Sequence, residues 1–130
     1  MRYFHLREEQ RIVLVTVLAV LFAYAAMEIH DRYSTTGIAS WYGKRFMGRA
    51  TASGEIFDPE KMTAAHRRLS MGSIVRVTEL KNARQVTVRI NDRGPYIPGR
   101  IIDLSRAAAR QLGILERGLA WVRIEVIGKE

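Results

Sequence analysis

The strongest constraint on this chain is a run without charge near its start. Residues 12–27 read Ile-Val-Leu-Val-Thr-Val-Leu-Ala-Val-Leu-Phe-Ala-Tyr-Ala-Ala-Met, apolar on every helical face. A helix with no polar side belongs in a core or in a membrane. This one stands alone before a polar stretch, which weighs against the core. Sixteen residues make about 24 Å of helix, short of the roughly 30 Å hydrocarbon layer. That length favours the apolar centre of a signal peptide, with Ala23-Tyr24-Ala25 as an A-x-A-like cleavage site. The alternative is an uncleaved anchor, with Tyr24 and the flanking Arg2, Arg7 and Arg11 at the interfaces. Both send the rest of the chain across a bilayer. The expected division is a signal peptide or anchor over 1–27, a polar linker over 28–36 and one folded domain over 37–128.

Export changes what the charge means. The 130 residues hold 21 Lys and Arg against 13 Asp and Glu, a net charge of +8. Residues 1–25 take three arginines and two glutamates, so 18 basic and 11 acidic groups remain, a net +7. In the cytosol that excess would suggest nucleic acid; outside, it suits anionic head groups or an acidic, glycan-rich wall. There is no cysteine, which removes disulfides, thiolate metal sites, a cysteine nucleophile and a lipidated N-terminal cysteine. His5, His30 and His66 stand singly without ligand spacing, so neither a metal nor a cofactor is expected.

Beyond the linker the pattern is mainly β. Gly37–Gly43 reads as a strand between glycines, and residues 44–73 as a long, partly ordered loop. Ile74–Leu80 and Gln85–Asn91 alternate apolar and polar residues around Lys81-Asn82-Ala83-Arg84, the pattern of an antiparallel hairpin. Asp92-Arg93-Gly94-Pro95 and Pro98-Gly99 are turn signals. Arg100–Leu104 reads as a short strand, Ser105 as an N-cap, 106–112 as a two-turn helix and Gly113 as its stop. Leu119–Ile127 alternates again, with Trp121, Arg123 and Glu125 on one face. Short strands, one small helix and no β-α-β rhythm point to a small mainly-β barrel.

Six blocks, in one order, carry a resemblance. They are Gly37-Ile-Ala-Ser-Trp-Tyr-Gly43, Gly48–Asp58, Thr63-Ala-Ala-His66, Val75-Arg-Val77, Val88-Arg-Ile-Asn-Asp-Arg-Gly-Pro95 and Arg100-Ile-Ile-Asp-Leu-Ser105. Together they resemble the RlpA-like domain of bacterial septal-ring lytic transglycosylases. The resemblance implies a six-stranded double-psi β-barrel with one or two short helices, after an N-terminal hydrophobic helix. It implies an endo-acting enzyme that cuts the MurNAc–GlcNAc β-1,4 bond of peptidoglycan and leaves a 1,6-anhydroMurNAc end. The alternative is an expansin-like module that binds polysaccharide without cutting it. The chain differs from better-known members in three ways: it lacks a lipidation cysteine, it stops soon after the barrel without a SPOR module, and its hairpin tip is Asn82-Ala83 rather than Asn-Gly. The expected partners are glycan strands, and the membrane if the leader is retained, with no nucleic acid and a monomeric state.

Such chemistry needs a proton donor at the leaving oxygen and stabilisation of an oxocarbenium-like state. By resemblance, Glu55, His66 and Asp92 occupy active-site positions and should meet in one open groove. Asp92 is expected as general acid and base, Glu55 as stabiliser or proton partner, and His66 as orienting residue. Each has a plainer reading: Asp92 as a turn cap, Glu55 as a solvated loop charge, His66 as a packed histidine. Tyr42 and Tyr96 are expected to stack on sugar, and Arg49 and Arg93, with Arg100 as a further candidate, to pair with substrate carboxylates. Asp103 is a reserve site residue that can equally cap the following helix.

Overall fold

The computed structural model describes the backbone of residues 5–43 and 46–130, and the side chains of these except 29–33. Arg2 of the basic flank and residues 44 and 45 of the expected loop lie outside the described residues. The chain divides into two units, Met1–Tyr33 and Ser34–Glu130.

The first unit holds helix α1 (Glu8–Tyr33). It is longer than its uncharged centre because polar residues on both sides continue it. The window Glu8–Glu28 has a mean hydropathy of 1.9 and is long and apolar enough to cross a membrane. The stretch 28–36 is therefore not a separate linker: its first part is helical and its end, from Ser34, is strand.

The second unit is a closed barrel of β1 (Ser34–Trp41), β2 (Thr63–Ala65), β3 (Ser73–Glu79), β4 (Gln85–Asp92), β5 (Arg100–Leu104) and β6 (Leu119–Lys129), with helix α2 (Arg106–Leu112) after β5. Around the barrel the strands run β1-β5-β2-β4-β3-β6, with β1–β5 and β2–β4 parallel and the other pairs antiparallel. This is the six-stranded double-psi barrel implied by the motifs. Closure leaves no strand edge unpaired.

Alternation builds the core. Val75 pairs with Val88 and Val77 with Val86 across the β3–β4 hairpin, all turned inward. Ala39, Ile90, Ile102, Leu104 and Val122 close the interior. Burying each large aliphatic contributes about 1.5–3 kcal/mol. Ser105 caps α2 by accepting the Ala108 N–H and donating to Lys61 O at 2.6 Å. Gly113 ends the helix in the left-handed region, its N–H reaching Ala109 O and Arg110 O.

The hairpin tip is fixed from inside. Buried Glu79 accepts the Asn82 N–H at 2.7 Å and lies 3.6 Å from Arg117. Ala83 takes φ 60° where a glycine would rest without strain.

The expected loop 44–73 is more ordered than its sequence suggests. Residues 48–57 double back, with Ala50 bridging Ile56, Gly48 N–H on Phe57 O and Phe57 N–H on Arg49 O. Phe57 then packs with Tyr42 and Ala65 as a second small core. The strand β2 follows, three residues with no periodicity of their own. It exists because β4 and β5 pair with its two sides.

Candidate active site

One row of residues crosses the outer face of the barrel. Asp92 on β4 pairs with Ala65 on β2, Ala65 with Asp103 on β5, Asp103 with Ser40 on β1, and Ser40 with Leu119 on β6. Ala64, Leu104 and Ala39 beside them point into the core, as does Ile90, two residues before Asp92 across a register irregularity opposite Ala64 and Ala65. Adjacent strands lie roughly 4.8 Å apart, so the two aspartates, with one strand between them, are about 10 Å apart at Cα. Between them stands a methyl group. Two carboxyls thus form walls and Ala65 the floor of an open pocket of about 390 Å³.

The surroundings set the two acids apart. Burial pushes the Asp103 carboxyl up to about 6, the nearby Asp92 charge adding to this and the Ser40 hydrogen bond and Arg100 opposing it. Ser40 Oγ donates to Asp103 Oδ1 at 3.1 Å. Asp92 Oδ1 accepts the N–H groups of Ala52 and Arg93, each at 2.9 Å, which ties the carboxylate to two loops. An acid that titrates near 6 is suited to giving a proton close to neutrality; a carboxylate pinned by two donors is suited to holding charge in place.

Tyr42 closes the base. Its ring is only 8% exposed and packs 4.5 Å from Phe57 and edge-on to Phe46 at 5.7 Å, so it cannot stack on a sugar as expected. Its hydroxyl lies near Thr63, Asp92 and Asp103 without a well-formed hydrogen bond. Burial, then the charges of the two aspartates, raise the phenol far above its ordinary range, so it stays a neutral donor. Tyr96, by contrast, is 75% exposed at the rim and offers an open ring. Arg49 and Arg93 also line the pocket, as does Asp103, while Arg100 does not. Arg93 Nη1 donates to the carbonyls of Leu69 at 2.8 Å and His66 at 3.2 Å, which holds its guanidinium at the wall.

Glu55 and His66 do not join Asp92 in the pocket lining. Glu55 is gripped by Arg89 through two contacts of 2.6 Å, and the Arg89 hydrogen bonds hold its carboxyl below the usual range. His66 Nδ1 accepts the N–H groups of Arg68 and Leu69, each at 3.0 Å. Burial, reinforced by Arg67, Arg93 and Arg68, lowers its ring to about 4, so it stays neutral with the proton on Nε2. Glu55 anchors the 51–55 turn that supplies the Ala52 N–H, and His66 shapes the turn whose carbonyls seat Arg93. The acid that shares the pocket lining with Asp92 is Asp103, whereas the resemblance pairs Asp92 with Glu55. No cluster of His, Cys, Asp or Glu able to hold a metal occurs among the described residues.

Glu55→Gln should therefore cut turnover less than a change at either aspartate. It should also remove the acid-side part of the stability. A carboxyl held low stabilises the fold above its unfolded value and loses that contribution as pH falls through the folded one. The loss, for a partly solvated pair, is about 1 kcal/mol or less. Melting curves at pH 3 and 7 check it, with the difference between the variant and the parent expected to shrink from pH 7 to pH 3.

Known proteins resemble the chain in sequence and in fold. The family model for lytic transglycolase matches residues 34–124. The chain is 57% identical over 95 residues to an endolytic peptidoglycan transglycosylase RlpA of Pasteurella multocida, a match covering 73% of this chain and 32% of that protein. It is 54% identical over 105 residues to the protein of that name in Vibrio cholerae, covering 81% and 40%. The chain thus spans only about a third of the length of the curated relatives it matches. In fold it is similar to the Streptomyces papain inhibitor, with TM-score 0.60, 24% identity and coverage of 73% of this chain and 94% of that one. It is also similar to an expansin of Clavibacter michiganensis, with TM-score 0.59, 22% identity and coverage of 75% and 52%.

Proposed function

This chain belongs to the lytic transglycolase family, and on that premise we propose that its barrel cleaves peptidoglycan glycan strands by lytic transglycosylation. The observation that carries the reading is the facing of Asp92 and Asp103 across Ala65. A sugar ring seated over the methyl floor puts its glycosidic oxygen within reach of one acid and its reacting face over the other. Protonated Asp103 gives its proton to the leaving oxygen as the C1–O bond breaks. The Asp92 carboxylate stabilises the positive charge at C1 and takes the proton of the sugar's own 6-hydroxyl, whose oxygen closes on C1. The products are a free 4-hydroxyl and a 1,6-anhydro ring, and no water is consumed. The proton returns from Asp92 to Asp103 through solvent.

Arg49 and Arg93 supply cationic walls for lactyl or peptide carboxylates, and Tyr96 a stacking face. The substrate places the barrel in the cell envelope, with α1 as its export signal or anchor, and the proposal takes the barrel to act as a monomer.

The test incubates the full chain with purified peptidoglycan sacculi and identifies released fragments by mass spectrometry. Fragments with 1,6-anhydroMurNAc ends support the proposal. Reducing ends would make the protein a hydrolase. Binding without release would favour the expansin-like module.

A further inference from the structure

Trp121 is left unexplained by the site. It lies on β6 between Ala120 and Val122, which point into the core, and its indole is 60% exposed. An exposed tryptophan on a rigid strand forfeits a large burial gain. It does not stand alone. Across β1 it pairs with Ile38, and on the β3 side Leu80 N–H binds its carbonyl at 3.0 Å. Leu119 and Leu80 are exposed beside it.

Backbone pairing links this patch to the pocket by two routes. The outer row runs from Asp103 through Ser40 to Leu119, two residues before Trp121 on the same face. The pocket rim runs from Tyr96 along a turn to Gly99, whose carbonyl accepts the Ile38 N–H at 3.1 Å, and Ile38 faces Trp121. Two strand spacings and two residues of rise put Trp121 about 12 Å from Asp103 at Cα, a span that a short oligosaccharide covers.

We propose that Trp121 is a distal glycan subsite, stacking on a sugar of the strand whose cleaved bond lies over Ala65. The inference rests on the peptidoglycan reading, and its occupant is that same strand. A flat indole matches the apolar face of a pyranose, and a strand-borne ring pays little ordering entropy on contact. Binding there, remote from the reacting bond, selects long strands over short fragments.

The experiment compares the full-length parent, Trp121→Ala and Trp121→Phe on long uncrosslinked glycan strands and on the MurNAc–GlcNAc disaccharide and a tetrasaccharide of the same polymer, each of which carries a cleavable bond. The expected result is a KM for long strands raised about 5–10-fold in Trp121→Ala, an unchanged kcat, unchanged constants for the disaccharide and near-parental behaviour in Trp121→Phe. An unchanged KM for long strands, in a chain that does cleave them, overturns the subsite and leaves the activity standing. If the parent cleaves nothing, the activity fails separately, and co-sedimentation with sacculi decides the subsite: weaker binding by Trp121→Ala supports it and equal binding overturns it. Circular dichroism checks that the exposed substitution leaves the barrel folded.

Discussion

Asp103→Asn should reduce turnover on sacculi by about 10²–10⁴-fold, the usual worth of a positioned proton donor, and at the same time raise the melting temperature above pH 6. The two effects have one cause. Asparagine keeps the oxygen that accepts from Ser40 Oγ but has no proton to give. It also has no charge to bury. The folded carboxyl titrates near 6 against an ordinary value of 3.8, so the fold binds the proton more tightly than the unfolded chain does. Stability therefore falls as pH rises from about 4 to about 6, and the cost is complete above that window. The asparagine variant escapes it by about 1–2 kcal/mol after allowance for solvent screening, which for a barrel of this size is roughly 4–8 °C per kcal/mol. Calorimetry at pH 8 should show the gain and calorimetry at pH 3.5 should not. In the parent, turnover should decline as pH rises through about 6. Full activity in the variant would remove Asp103 from proton transfer.

Ala65→Leu should cost at least about 100-fold in activity while the barrel persists. The side chain points outward between the two aspartates, and three added carbons would stand where the sugar ring must sit. A misplacement of about 1 Å is enough for such a loss. The crowding against Tyr42 and Phe57 should cost about 1–3 kcal/mol of stability. Ala64→Leu is the contrasting change: its neighbour points into the core at 0% exposure, so that variant should fail in folding first. Activity and melting measured on both separate a blocked cleft from a broken barrel. An active Ala65→Leu enzyme would mean that the glycan binds elsewhere.

The legible parts of this molecule are those in which each residue's neighbours in the chain carry the information. The hairpin of β3 and β4, the strand β6, the Ser105 cap and the Gly113 stop all follow from alternation or capping within a few residues. The strand β2 does not, because Thr63-Ala64-Ala65 has neither length nor alternation, and only its two partners make it a strand. The site depends on that hidden strand. Asp92 and Asp103 face each other only once Ala65 is paired with both, so spacing could keep Asp103 no higher than a reserve. The surroundings of Glu55 are hidden for the same reason. Its partner Arg89 is 34 residues away, and nothing in Ser-Gly-Glu announces it. Tyr42 lines the pocket with a covered ring, and the covering is visible only once Phe46 and Phe57 are located.

The backbone separation of the two acids is written in the ladder of three adjacent strands, β4, β2 and β5. Within the segments over 46–62 and 93–99, Arg49 and Tyr96 can therefore change while the reacting distance stays put, provided the Ala52 and Arg93 N–H groups keep their hold on Asp92. Substrate preference and chemistry are separately inheritable in such a barrel. A lineage can explore new glycans by drift in its loops without passing through an inactive intermediate.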